Sequence, residues 1–379
     1  MKILIAPDSF KESLSAREVA DSIEAGIMQY RSDLVCIKIP LADGGEGTVE
    51  SVLASVGGEK IAVRVRDPLM REIDSSWGLL PDRKTAVIEM AAASGIELLS
   101  NPERNPRITT TYGTGQLMLS ALDHGCTKIY LGIGGSATND GGAGMGQALG
   151  ARLVDKDNRE IGPGGGQLSR ISRIDTTDFD PRISDCDVVV LSDVENPLIG
   201  KNGASQVYGP QKGGDKAMIR ELDNNLQHFG DLLESHFGRK IINIPGSGAA
   251  GGLGAGLLGF CNAQMSKGFE TIADLVKLES IVKTVDLIIT GEGKLDFQTK
   301  FGKVPYGVAQ IAGKYGKKVI GIAGSLGDGY KDLYTLGFQS IFPIAEGPAT
   351  LDYCLNHAGT LVRNTSERII RTILIGYQV

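Results

Sequence analysis

Long apolar runs are missing from this chain. The first, Ile3 to Ala6, is four residues long and is broken at once by Pro7 and Asp8. A secretory leader needs a longer stretch. No window approaches the roughly 18 uncharged apolar residues of a membrane-spanning helix. The sequence therefore predicts a cytoplasmic protein with no membrane partner. Cysteine is scarce: Cys36, Cys126, Cys186, Cys261 and Cys354 lie 60 or more residues apart, and no C-x-x-C occurs. An odd count without clustering excludes a disulfide framework and a structural zinc site, and it fits a reducing cytosol. The four histidines form no H-E-x-x-H. His124 and His357 fall in predicted helices, where a packed or solvated ring is expected rather than a metal ligand. Basic excess is also lacking, with 39 Lys and Arg against 45 Asp and Glu and a net charge of −6. Duplex-binding surfaces are usually basic, so nucleic acid is excluded as a partner.

Familiar catalytic signatures are missing too. There is no G-x-x-x-x-G-K-[ST], which excludes a P-loop enzyme, and Ala323-Gly324-Ser325-Leu326-Gly327 lacks the leading glycine of a serine-hydrolase elbow. Gly246-x-Gly248-x-x-Gly251 and Gly254-x-Gly256-x-x-Gly259 match the dinucleotide fingerprint formally. Asn243-Ile244-Pro245 interrupts the short strand before them and no β-α-β unit follows, so chance matches in a glycine-rich stretch explain them.

Glycine is abundant, at 52 of 379 residues, about twice the usual ~7%. An excess of this size marks tight turns and close backbone approaches. Hydrophobic content of 41% and charged content of 22% describe an ordinary globular chain, and the length suggests about two domains. Lys2–Ala6 reads as a strand buried on both faces. Ser15 to Glu18 is a capping box, with Val19, Ala20, Ile23 and Ile27 on one helical face. Cys36–Leu41 is the next strand. Lys60–Arg66, Ser75–Leu80 and Thr85–Met90 are short strands whose close spacing predicts antiparallel pairs. A helix over 115–124 and strands at Lys128–Gly132 and Asp187–Ser192 follow, then an amphipathic helix from Asp215 to about Phe237. From Thr284 the β-α-β style returns, with strands at Val285–Ile289, Lys318–Ala323 and Phe338–Pro343 and a long helix over 351–374. The α/β organisation expected is a doubly wound parallel-sheet domain from 1–60 and 285–379, with a second mixed α/β domain, 61–284, inserted in it.

The strand ends carry the chemistry. Asp8-Ser9-Phe10-Lys11 follows one strand, Asp43-Gly44-Gly45-Glu46-Gly47 a second, and Gly134 to Gly142 a third. Asp193-Val194-Glu195 follows a fourth, and Glu292-Gly293-Lys294-Leu295-Asp296 a fifth. Ligands of parallel α/β sheets bind outside the carboxyl ends of strands. Glycine amides can approach phosphate oxygens there, carboxylates can hold Mg²⁺ or accept a hydroxyl proton, and lysines can offset phosphoryl charge. Five such loops together predict an anion- and metal-handling cleft, although Gly and Asp are also plain turn residues. Tyr208 to Gly214 reads equally as a solvated turn or as a loop that brings Lys212 onto a phosphate.

These blocks resemble the bacterial type I glycerate kinase family. The likeness rests on Ala6-Pro7-Asp8-Ser9-Phe10-Lys11-Glu12-Ser13-Leu14, Pro40-Leu41-Ala42-Asp43-Gly44-Gly45-Glu46-Gly47-Thr48, Gly132 to Gly144, Asp193 to Leu198, Tyr208 to Gly213, Gly246 to Gly256 and Thr290 to Gln298. It implies a flavodoxin-like α/β domain paired with a second α/β domain, the active cleft between them. It also implies phosphorylation of D-glycerate with ATP, giving 2-phosphoglycerate in preference to 3-phosphoglycerate. A kinase for another short hydroxy acid is the alternative within enzymes. A non-catalytic small-acid sensor is the rival class, but no output segment is visible for it.

Residue chemistry then assigns roles on that reading. Asp193, Lys11, Lys294 and Asp296 are the candidate catalytic groups. Asp8, Ser9, Asp43, Gly44 and Gly45 are candidates for the substrate. Gly134, Gly135, Ser136, Gly141 and Lys212 are candidates for the nucleotide, and Asp193 with Glu195 for Mg²⁺.

Overall fold

The computed structural model describes residues 1–375. The strands are β1 (Lys2–Ile5), β2 (Val35–Lys38), β3 (Glu59–Arg66), β4 (Glu72–Leu79), β5 (Thr85–Glu89), β6 (Lys128–Gly132), β7 (Arg152–Val154), β8 (Arg173–Asp175), β9 (Asp187–Leu191), β10 (Gln264–Ser266), β11 (Leu287–Leu295), β12 (Lys318–Leu326) and β13 (Phe338–Pro343). Met1–Asp43, Glu50–Gly57 and Phe269 onward form one compact unit, and Gly44–Val49 with Gly58–Gly268 form another. The fold class is mixed α/β with parallel sheets, as the sequence predicts.

The first unit holds a five-stranded sheet in the order β13-β12-β11-β1-β2, every pair parallel. Counted within the unit, that order is 2-1-3-4-5, the flavodoxin-type arrangement with its switch point between the first and third strands. Those two are β1 and β11. Ile3, Leu4 and Ile5 are fully buried, as expected for a strand covered on both faces. The helix Ala16–Tyr30 starts where Ser15 caps it: the Glu18 N–H donates to Ser15 Oγ at 3.3 Å and the Ser15 N–H to Glu18 Oε2 at 2.8 Å. Its apolar stripe of Val19, Ala20, Ile23 and Ile27 packs with Leu361, Val362, Ile369 and Ile370 of the helix Ala358–Ile375.

The second unit holds a six-stranded sheet, β10-β9-β6-β5-β4-β3. The pairs β3/β4 and β4/β5 are antiparallel, and β5, β6, β9 and β10 run parallel. Trp77 is fully buried in its core, and its indole N–H donates to Ser120 Oγ at 3.0 Å. The helix Lys216–Phe237 begins at Asp215, whose carboxylate accepts the Ala217 and Met218 amides.

The glycine excess has a concrete use here. The stretch 246–259 lies against the loop 138–142, and a Cβ on Gly251 would overlap the Thr138 carbonyl oxygen. Gly256 meets Gly141 and Gly142 in the same way. Backbone packs directly on backbone, so this stretch serves the core and is no dinucleotide fingerprint.

Several elements differ from the sequence expectation: β2 ends at Lys38 instead of Leu41, and β12 runs past Ala323 to Leu326. The strand expected to end near Ile289 runs to Leu295, because β12 extends beside it as far as Leu326 and pairs with it throughout. The long closing helix breaks at His357 into Leu351–Asn356 and Ala358–Ile375, with the His357 Nδ1–H donating to the Tyr353 carbonyl, 2.9 Å away.

Candidate active site

In the second unit the end of β6 leads into the glycine-rich loop. Gly134, Gly135 and Ser136 line one side of a cavity of about 330 Å³. Ile96, Ile133, Val194 and Tyr208 supply its apolar walls, and Glu97, Arg104, Gln211 and Lys212 its polar ones. Lys212 ends the short turn Pro210–Lys212 and is buried. Its Nζ donates to the Thr138 carbonyl at 2.6 Å and to Ser136 Oγ at 3.2 Å. Burial pulls the ammonium down to about 7, against the opposing charge of Asp140. A lysine so held gains its proton readily when an anion arrives.

The far half of that loop does other work. Asp140 is fully buried. Its Oδ2 accepts the Thr111 N–H at 2.8 Å, the Thr111 hydroxyl at 2.9 Å, the Thr110 hydroxyl at 3.2 Å and the Gly144 N–H at 3.2 Å, and its Oδ1 accepts the Gly142 N–H. A Cβ on Gly141 would meet the Phe229 ring at 2.7 Å. Gly141 therefore points into the core, although the sequence places it with the nucleotide. Asp140→Ala is expected to cost on the order of 3 kcal/mol, because several buried donors lose their acceptor. Calorimetry should show the loss. An unchanged melting temperature would contradict this account.

The other residues at this sheet edge are Gly44, Gly45, Asp193 and Glu195. Gly44 packs on Leu191 and Gly132, and Gly45 on Gly134, so three strand-end backbones interleave. Asp193 and Glu195 follow β9 and are solvent-exposed. Asp193 Oδ1 accepts the Gly268 N–H at 3.1 Å.

The first unit gathers a second group of residues at the carboxyl end of its sheet. Asp8 follows β1. Its own N–H donates to the Gly291 carbonyl at 2.8 Å, which sets it beside β11. Its Oδ1 accepts the Ser9 N–H at 2.7 Å. Desolvation, then the charge of Asp43, then that of Glu292, raise its carboxyl to about 8, while Ser9 and Lys11 pull the other way. Lys11 is exposed. Glu292 is buried and tied at both oxygens, by the Thr299 hydroxyl at 2.8 Å and Lys303 Nζ at 2.9 Å. Burial raises it and Lys303 opposes. Asp296 is buried, accepts the Gln298 N–H at 2.8 Å and lies 3.4 Å from Lys294 Nζ.

Sequence reasoning misses Glu97, Arg104, Gln211, Thr299 and Lys303. The first three belong to segments with no strand-end signature. Lys303 lies ahead of Pro305 at a helix start, and nothing in its spacing points to Glu292.

Among the described residues, no three His, Cys, Asp or Glu side chains gather into a metal cage. No described helix is long and apolar enough to cross a membrane. The five thiols are free. Mg²⁺ that arrives on nucleotide phosphates needs only one or two protein carboxylates, and the exposed pair Asp193 and Glu195 fits that demand.

A parallel-sheet scaffold with an anion-ready pocket and carboxylates at strand ends is the construction of an enzyme that handles phosphoryl groups. The glycerate kinase family model matches residues 3–374. The glycerate 2-kinase of Escherichia coli K12 is 49% identical over 376 residues, covering 99% of each chain. A glycerate kinase of Halalkalibacterium halodurans is 48% identical, covering 97% of each. A crystal structure of a candidate glycerate kinase 2 from Salmonella typhimurium LT2 superposes with a TM-score of 0.89 at 47% identity over the full length of both chains. The chain belongs to the glycerate kinase family and is an enzyme, a kinase.

Proposed function

We propose that this enzyme transfers the γ-phosphoryl group of ATP to the 2-hydroxyl of D-glycerate, giving 2-phosphoglycerate and ADP. The observation that supports it most is the 330 Å³ pocket, where the Gly134-Gly135-Ser136 backbone and the buried Lys212 face one space. Amide N–H groups and a desolvated ammonium suit phosphate oxygens. Gly134, Gly135, Ser136 and Lys212 are assigned to the nucleotide. Asp193 and Glu195 would hold Mg²⁺, which supplies positive charge to the transferring group. Ser9, through its hydroxyl, and Lys11 are assigned to the glycerate carboxylate, beside Asp8 and Asp43. Lys294, anchored by Asp296, offsets phosphoryl charge. Gly44 and Gly45 shape the neighbouring backbone.

The test is ADP release from ATP with glycerate, lactate, tartronate and glycolate in turn, with the product phosphorus spectrum recorded. Turnover specific to glycerate with a 2-phosphate resonance is expected. Release with another acid alone would move the substrate, and a 3-phosphate resonance would move the position. Gly135 has φ +72, and a Cβ there would come within 3.3 Å of Ala91 Cβ. Gly135→Val should accordingly raise the KM for ATP more than that for glycerate. Unchanged values for both would remove this loop from the nucleotide.

A further inference from the structure

Three carboxylates sit at the carboxyl ends of adjacent strands in the first unit, and they are unequally satisfied. Asp43 ends the loop after β2, Asp8 follows β1, and Glu292 lies on β11. Glu292 has both oxygens bonded, to Thr299 and Lys303. Asp43 has a partner of its own. Asp8 accepts one hydrogen bond, from Ser9 to Oδ1. It stands at the switch point between β1 and β11, where ligands of such sheets bind.

We infer that Asp8 is the catalytic proton acceptor of the transfer, with Glu292, held by Lys303 and Thr299, as its positioning residue. This rests on the kinase reading above and decides which acid takes the proton. The substrate O–H bond breaks and its proton passes to Asp8 Oδ2. The hydroxyl oxygen bonds to the γ-phosphorus, and the bond to the β-phosphate oxygen breaks with its electron pair leaving on ADP. Asp8 later returns the proton to water. The charged groups facing it are Asp43 from the β2 side, Glu292 from β11, and Lys11 on its own loop. Burial first, and then the two acids, keep its proton affinity high enough to take a hydroxyl proton, and Ser9 and Lys11 limit the effect. A general base works best when that affinity lies near the operating pH.

The experiment is the pH dependence of kcat for the wild type, Asp8→Asn and Glu292→Gln, with folding of each followed by circular dichroism. The base must be ionised, so wild-type activity should rise with pH through the neutral to mildly alkaline range. Removing the Glu292 charge should move that rise to lower pH by roughly one unit. A purely structural Glu292 would change the height of the profile and leave its position. Asp8→Asn should lose roughly 10²-fold or more in kcat. An unmoved rise in Glu292→Gln, or near-normal kcat in Asp8→Asn, overturns the assignment, and the wild-type and Glu292→Gln profiles decide it even if Asp8→Asn fails to fold. A wild type that releases no ADP with glycerate sinks the substrate reading and this proposal together, whereas an active wild type with an unmoved rise sinks this proposal alone.

Discussion

Lys212→Met is expected to lose roughly 10²-fold or more in kcat/KM for ATP while melting at a higher temperature near pH 7. Two opposing effects decide the stability result. Burial has moved this ammonium from the ordinary lysine range, near 10.4, down to about 7, which corresponds to on the order of 4 kcal/mol against the charged form. The hydrogen bonds to Thr138 and Ser136 are worth about 1 kcal/mol each. The burial cost is the larger, so an apolar side chain of similar length should stabilise. The folded-state value is depressed, so between about pH 7 and pH 10 the unfolded chain binds a proton that the folded chain does not. Stability therefore rises with pH across that window. The gain from Lys212→Met should be greatest at pH 7 and below, and it should shrink towards pH 10. Calorimetry across that range with parallel kinetics checks both halves. A variant that melts lower at pH 7 and turns over normally would make Lys212 a strut for the loop and no part of the nucleotide site.

That pairing of lost activity with gained stability marks groups that a fold retains for function. Asp140 gives the contrast. It lies in the glycine-rich loop to which Lys212 donates and is as deeply buried, yet each of its oxygens is engaged by donors. The two residues read alike in the sequence, as polar groups among glycines. Only the turn after Gly135 separates the pocket side from the core side, and no local pattern encodes which way each side chain faces.

The parts of the fold that are legible in the sequence are those set locally. β6 and β13 keep their expected limits, with Ile129, Tyr130 and Leu131 leading to Gly132 in one and Phe338, Ile341 and Phe342 leading to Pro343 in the other. The helix Ala16–Tyr30 keeps its start because Ser15 and Glu18 satisfy each other's amides. β11 is the contrary case. Gly291, Glu292, Gly293 and Lys294 read as a strand-end loop, yet they stay extended because β12 lies alongside, and a Cβ on Gly324 would crowd the Gly293 carbonyl. Long-range pairing overrides propensity there. The same extension puts Glu292 next to Asp8, and the turn through Thr299 brings Lys303 back to it. A strand, a turn and a helix start must all form before those groups meet, so residue spacing alone does not reveal the cluster.

Asp193→Asn should lower kcat by roughly 10²-fold or more, the range of a lost metal ligand or general base. The fold should survive, because the side chain is exposed and an Asn Oδ1 can still accept the Gly268 N–H that Asp193 holds at 3.1 Å. That retained acceptor makes the substitution informative: it removes the charge and keeps this hydrogen bond. Asp193→Glu keeps the charge and should recover part of the activity. If Asp193 acts with Glu195 on the metal, the free Mg²⁺ needed for half-maximal rate should rise in Asp193→Asn, while the pH position of the kcat profile stays where the wild type has it. A shift of that pH profile without any change in the Mg²⁺ requirement would make Asp193 the proton acceptor and displace Asp8. Near-normal turnover with a lower melting temperature would leave Asp193 as a turn acid that anchors the start of the segment after β10.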